Sequence, residues 1–195
     1  MTLAFRILTG SQISTALDDL ARLRIEVFRD WPYLYDGTMD YEREYLSTYI
    51  DAEDAILVAA FDGPDIVGVA TGTRMTDHAA DFQNAFAQTA YDLGDIFYCA
   101  ESVLLPQYRG MGAGHAFFDQ REEHARKLGA KLIAFCAVQR PQTHGLRPTN
   151  YRPLEGFWRK RGYAPLPGVV AQFDWKDIDE ADSTPKPLQF WMKPL

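Results

Sequence analysis

Apolar positions recur along the chain with two periods, and their alternation predicts a mixed α/β chain. Residues 3–8 form a short apolar strand candidate, followed by the turn residues Thr9, Gly10 and Ser11. Ile13, Leu17, Leu20, Leu23/Arg24 and Val27/Phe28 then recur at helical spacing, predicting an amphipathic helix over 12–29 that ends before Pro32. Tyr41, Tyr45 and Tyr49 fall at i, i+4 and i+8, one face of a second helix. Two buried strands at 55–60 and 66–73, joined by Phe61-Asp-Gly-Pro-Asp65, read as a hairpin. Residues 79–93 suit a short helix carrying Phe82, Phe86 and Tyr91 and stopping at Gly94. A strand over 96–105, a helix over 113–128 closed by Gly129, and a strand over 131–138 follow. After the polar loop 139–150 come two strands, 169–175 and 188–192, around the acidic loop 176–187.

The densest chemistry lies between the strand at 96–105 and the helix at 113–128, in Glu101-Ser-Val-Leu-Leu-Pro-Gln-Tyr-Arg-Gly-Met-Gly-Ala-Gly114. Gly110, Gly112 and Gly114 have no side chains to block close approach, so backbone N–H groups can converge on an anion at the positive helix end, beside Arg109. That suits a pyrophosphate. ATP is disfavoured because His115 and Ala116 follow Gly114, where a P-loop needs Lys and Ser/Thr. A dinucleotide fingerprint is disfavoured because position 115 is not glycine.

Arg-x-x-Gly-x-Gly at 109–114, after a strand ending in Leu-Leu-Pro, resembles the coenzyme A loop of the GNAT N-acetyltransferase superfamily. Leu154-Glu-Gly-Phe-Trp-Arg-Lys-Arg-Gly-Tyr163 resembles that superfamily's last helix, with Trp158 where a tyrosine is common. The resemblance implies a single domain over 1–195 and an α/β (α+β) GNAT-type acyltransferase fold, with a mixed central β-sheet of about six to seven strands flanked by helices. It implies acetyl-CoA as co-substrate, with the pantetheine arm along Val103, Leu104 and Leu105 and the pyrophosphate on Arg109, Gly110, Met111, Gly112, Ala113 and Gly114. The implied reaction is direct attack on the thioester by a primary amine of a small molecule, without a metal. Two alternatives stay open: a protein N-terminal or lysine acetyltransferase, and a non-catalytic acyl-CoA sensor, which the missing tyrosine keeps in play.

Glu101 is the candidate base, since burial in an apolar strand would raise its pKa; the competing reading is a structural carboxylate paired with an arginine. Trp158 has no usable proton, so Tyr151 and His144 are the candidate acids, each equally readable as a loop residue. By the resemblance, the aromatic and acidic segment 31–49 helps wall the acceptor pocket, making Tyr33, Tyr35 and Tyr41 candidate substrate contacts; they could instead only pack the helix. His78, His115 and His124 read as surface residues, and no histidine pair has metal-ligand spacing.

Composition narrows the partners. A net charge of −7 argues against nucleic acid, and no apolar run is long enough for a bilayer. Cys99 and Cys136 fall in apolar runs without metal-type spacing and read as reduced, buried thiols. No secretory leader pattern opens the chain, so a cytoplasmic location is expected; the oligomeric state is open, a homodimer included.

Overall fold

The computed structural model describes residues 2–195, apart from the side chains of Thr48, Ile50 and Asp51. Strand β1 (Ala4–Thr9) pairs antiparallel with β2 (Ile56–Asp62), which turns through Gly63 into β3 (Asp65–Arg74). Between β1 and β2 lie helices α1 (Leu17–Phe28) and α2 (Met39–Asp51). A short helix α3 (Ala80–Gln83) leads towards β4 (Ile96–Leu104), followed by α4 (Ala113–Lys127), β5 (Leu132–Val138), α5 (Glu155–Lys160), β6 (Ala164–Trp175) and β7 (Thr184–Pro194). The seven strands form one sheet in the order β1-β2-β3-β4-β5-β7-β6. Only β4 and β5 are parallel, as their connection through α4 requires.

Consecutive side chains on β4 show which helices cover which face. Glu101 meets Arg24 of α1 and Tyr49 of α2, while Ser102 meets Arg121 of α4. Because neighbours on a strand point to opposite faces, α1 and α2 lie on one side and α4 on the other. This double cover explains why β2 and β3 read as continuous apolar runs rather than alternating ones: Ile56 to Ala60 and Val67 to Thr73 are almost wholly buried.

Three expectations are corrected. The helix predicted over 12–29 begins as a 3₁₀ turn, Gly10–Ala16, because the Ser14 and Thr15 hydroxyls donate to the carbonyls of Ser11 and Gln12 and tighten the chain. The stretch 79–93 holds only one short α-helix, followed by a 3₁₀ turn at Asn84–Phe86, although Phe82 and Phe86 are both buried. The last two strands extend well beyond 169–175 and 188–192. Prolines hid their full length: Pro165 and Pro167 sit on the sheet's edge strand, where a missing N–H is tolerated, and the register shifts between Pro165 and Val170.

Candidate active site

The site grows out of a gap in the sheet. The β4–β5 ladder consists of Ile96–Leu132, Phe97–Ile133 and Tyr98–Ala134, and stops there although both strands continue. Just past that point the β3–β4 register shifts: Ala70 pairs with Ser102 and Gly72 with Cys99, leaving Thr71 opposite both Ala100 and Glu101. Such a bulge turns side chains to new directions and strands backbone carbonyls. Arg121 of α4 answers them. Its Nη1 donates to the carbonyls of Thr71 and Glu101, both at 3.1 Å, while Nη2 reaches Ser102 Oγ at 3.0 Å.

Beyond β4, Pro106–Tyr108 makes a 3₁₀ turn into the glycine loop. Gly110 and Gly112 take φ of 81° and 87°, the left-handed region that side chains resist. A Cβ at either position would meet nothing within 4 Å, so glycine is required by the backbone and the space before it is open. Gly112 caps the 15-residue α4, whose first turn has neither a side-chain cap nor an acidic residue. An uncapped helix start at an open, glycine-lined turn fits a pyrophosphate. Arg109, Gly110, Met111 and Gly112 are exposed, Gly114 is half-buried beside Phe157, and Ala113 packs beneath the helix. Val103 and Leu105 are buried and Leu104 partly so.

On the α1/α2 face, against the parting of β4 and β5, lies a cavity of about 70 Å³, room for several water molecules. Its walls are aromatic: Tyr33, Tyr35, Tyr41 and Tyr45 from the α1–α2 region, Phe82 from α3, and Phe173 and Trp175 from β6. Tyr98, Glu101, Cys136 and Arg24 complete it. The structure thus brings Tyr33, Tyr35 and Tyr41 to one cavity with Glu101. Tyr35 fits because residue 37 is glycine: a Cβ there would lie 2.3 Å from the Tyr35 ring. The Tyr98 hydroxyl and Cys136 Sγ lie 3.0 Å apart, and burial pushes the Cys136 thiol up to about 12. Both cysteines are free and buried.

Glu101 is fully engaged. One oxygen accepts from Arg24 Nη1 at 2.5 Å, and the other accepts from the Tyr49 hydroxyl at 2.9 Å and from the Thr71 hydroxyl. Arg24 also donates to Glu42 at 2.5 Å and lies over the Tyr45 ring. Burial opposes ionisation of Glu101, but the Arg24 charge and the Thr71 and Tyr49 hydroxyls outweigh it and hold the carboxyl below its ordinary value. The expectation that burial would raise this pKa is therefore overturned. Arg24 carried a legible signal, a charge on the apolar stripe of α1; its partners 18 and 77 residues away did not.

The other candidates lie elsewhere. His144 and Tyr151 pack on Trp31, at 5.1 and 6.0 Å between ring centroids, and neither is in the cavity wall. His144 Nδ1 accepts from the Leu146 N–H. Trp158 is held between Phe135 and Trp191. His115 is exposed and His124 bonds the Asp54 carbonyl, but His78 is not a surface residue. It is 8% exposed, packed against Tyr98 and Phe82, and its Nε2 has no hydrogen-bond partner among the described residues.

Burial pulls the His78 pKa down to about 4, the nearby Glu101 charge opposing and that of Arg24 assisting. The unfolded chain therefore binds a proton there at higher pH than the native protein, and stability falls as pH drops from about 6.5 towards 4. Over that window His78 is expected to cost about 3 kcal/mol. Glu101, whose native pKa is lowered, adds its own loss as the pH falls through the ordinary carboxylate range. Urea unfolding at pH 7 and 4.5 should show the decline, and His78→Phe should flatten it. An unchanged slope in the variant would refute the assignment.

Among the described residues, no group of three or more His, Cys, Asp or Glu could hold a metal ion, and no helix is long and apolar enough to cross a membrane. In sequence, a family model described as "Acetyltransferase (GNAT) family" matches residues 19–147 of the 195. No curated protein matches the chain. In structure it is similar to ribosomal-protein-alanine N-acetyltransferase from Brucella melitensis, with a TM-score of 0.62 and 11% identity over 98% of this chain and 99% of that one. It is also similar to yncA from Salmonella typhimurium, solved with acetyl-CoA, with a TM-score of 0.58 and 9% identity over 100% of this chain and 95% of that one. The PaiA N-acetyltransferase of Thermoplasma acidophilum, in complex with coenzyme A, gives a TM-score of 0.57 and 14% identity over 100% of both. The parted strands, the glycine loop at the start of α4 and a family match reaching from α1 to beyond β5 agree: the chain belongs to the GNAT family of N-acetyltransferases.

Proposed function

We propose that this protein transfers an acetyl group from acetyl-CoA to a primary amine of a small molecule. The observation that carries the reading is the aromatic cavity set against the parting of β4 and β5. Its walls come from α1, the α1–α2 connection, α2, α3 and β6, which suits a compact guest better than an extended peptide. Ring faces and a carboxylate favour a group that arrives as an ammonium. Arg109 to Gly114 would take the pyrophosphate and Val103 to Leu105 the pantetheine arm, leaving the thioester, which supplies the acetyl group, at the cavity.

The ammonium first gives up one proton, freeing the nitrogen lone pair; that pair forms the new C–N bond, the C–S bond breaks with its electron pair on sulfur, the nitrogen sheds a second proton and the thiolate gains one. Glu101 suits an electrostatic role better than that of a strong base, because both its oxygens are occupied and its pKa is lowered. It favours the ammonium on entry, and the proton leaves through water in the cavity.

Thiol release from acetyl-CoA, measured with a panel of small amines and of peptides with free N-termini or lysines, tests the reading. Small amines should be turned over and peptides should not; peptide preference would overturn the acceptor class, and no release with any acceptor would favour a sensor. Tyr35→Ala should raise the acceptor KM about tenfold, the equivalent of ~1.4 kcal/mol, and spare that of acetyl-CoA. Equal change in both would mean that these tyrosines only pack the fold.

A further inference from the structure

The aromatic wall is built from a tight turn, in which the Tyr33 and Leu34 N–H groups donate to the Asp30 carbonyl and the Tyr35 N–H to that of Phe28. Between α1 and α2 the chain passes through Leu34 at φ 57°, a left-handed conformation that costs a branched residue energy, while Leu34 itself is buried. Tyr33 and Tyr35 flank it, and both rings line the cavity. The segment is stitched along the end of β6: Asp36 N–H donates to the Lys176 carbonyl at 2.9 Å, Ile178 N–H donates to the Leu34 carbonyl at 2.7 Å, and Tyr35 bridges Asp177.

One side chain from a third part of the sequence closes the arrangement. Arg140, just after β5, donates through Nε to the Pro32 carbonyl at 2.9 Å and through Nη2 to the Tyr33 carbonyl at 2.6 Å. Its fork also grips Asp177, Nη1 to Oδ2 at 2.6 Å and Nη2 to Oδ1 at 2.8 Å. Both side chains are buried, at 8% and 2% exposure. Lys186 Nζ stands 3.6 Å from the same carboxylate, and Trp175 Nε1 shares the Tyr33 carbonyl. A planar guanidinium can serve two carbonyls and a bidentate carboxylate together; an ammonium cannot reproduce that fork.

We infer that Arg140, with Asp177, is a positioning residue that fixes Tyr33 and Tyr35 as the wall of the acceptor cavity and thereby limits the size of acceptor admitted. The inference rests on the cavity being the acceptor pocket. Arg140 holds the Pro32 and Tyr33 carbonyls directly and reaches Tyr35 through Asp177, and it lies outside the cavity wall, so it acts through the two rings. The glycine loop belongs to a different part of the fold, so acetyl-CoA binding is independent of it.

The test compares Arg140→Lys, Asp177→Asn and Tyr35→Ala, each read for acceptor KM, acetyl-CoA KM and melting temperature over a series of amines of increasing bulk. Arg140→Lys should raise the KM of the best small amine about tenfold. It should leave the acetyl-CoA KM within about twofold, and bulkier amines should lose less. Asp177→Asn should move in the same direction. If Tyr35→Ala raises the acceptor KM and Arg140→Lys does not, or if Arg140→Lys raises both KM values equally, the inference is wrong while the pocket assignment stands. If Tyr35→Ala leaves the acceptor KM unchanged, the pocket assignment itself fails. Loss of folding in both Arg140→Lys and Asp177→Asn would assign the pair to stability alone and overturn the inference.

Discussion

Arg24→Met is expected to destabilise the fold by about 3–5 kcal/mol, enough to leave the protein largely unfolded at modest urea concentration. The guanidinium is the shared partner of Glu42 and Glu101, both of which are buried. Removing it leaves two buried carboxylates without their counter-charge, and one Glu42 oxygen already has no hydrogen-bond partner among the described residues. Most of the loss should therefore come from the orphaned acids rather than from missing attraction. Adding Glu42→Gln and Glu101→Gln to Arg24→Met should restore part of the stability, which a simple packing defect would not allow. Urea unfolding of the single and triple variants measures both effects. A loss below about 1 kcal/mol in Arg24→Met would show that the array is far better solvated than its burial indicates.

Gly112→Val is expected to abolish the stabilisation that acetyl-CoA confers. For the unaltered protein, ligand at 100 times its Kd should add about 2.7 kcal/mol, seen as a rise in melting temperature, while NAD and ATP at equal concentration should not. At φ 87° a β-branched residue is strained, and relief would reshape the glycine loop at the start of α4. The loop is exposed and a Cβ there meets no neighbour, so the fold should survive. A thermal shift equal to that of the unaltered protein would place the pyrophosphate elsewhere.

Local rules made the frame readable. The hairpin at Ile56–Arg74, the helix after the glycine loop and the glycines themselves are dictated by short-range periodicity and by backbone geometry that one residue type satisfies. The chemistry of the cavity depends on pairings of another kind. Glu101 alone in an apolar strand invites a raised pKa, and only the approach of Arg24 across 77 positions reverses the sign. Tyr33, Tyr35 and Tyr41 do meet at one cavity, yet the Tyr33 carbonyl is held by Arg140, more than a hundred residues later, and Tyr35 bridges Asp177, the carboxylate that Arg140 grips. His78 reads as a surface residue, but a turn and a short helix fold it inward against Tyr98 and Phe82.

The brevity of the β4–β5 ladder has a mechanical meaning. On one side of it four strands are laced antiparallel, on the other three, and just three residue pairs join the two panels. The panels thus share only a short seam, and α4 connects them across it. A linear guest with amide groups, threaded between the separated strand ends, would supply missing rungs to both panels at once. Filling the cleft would then brace the sheet across its weakest line and firm the floor beneath the aromatic cavity.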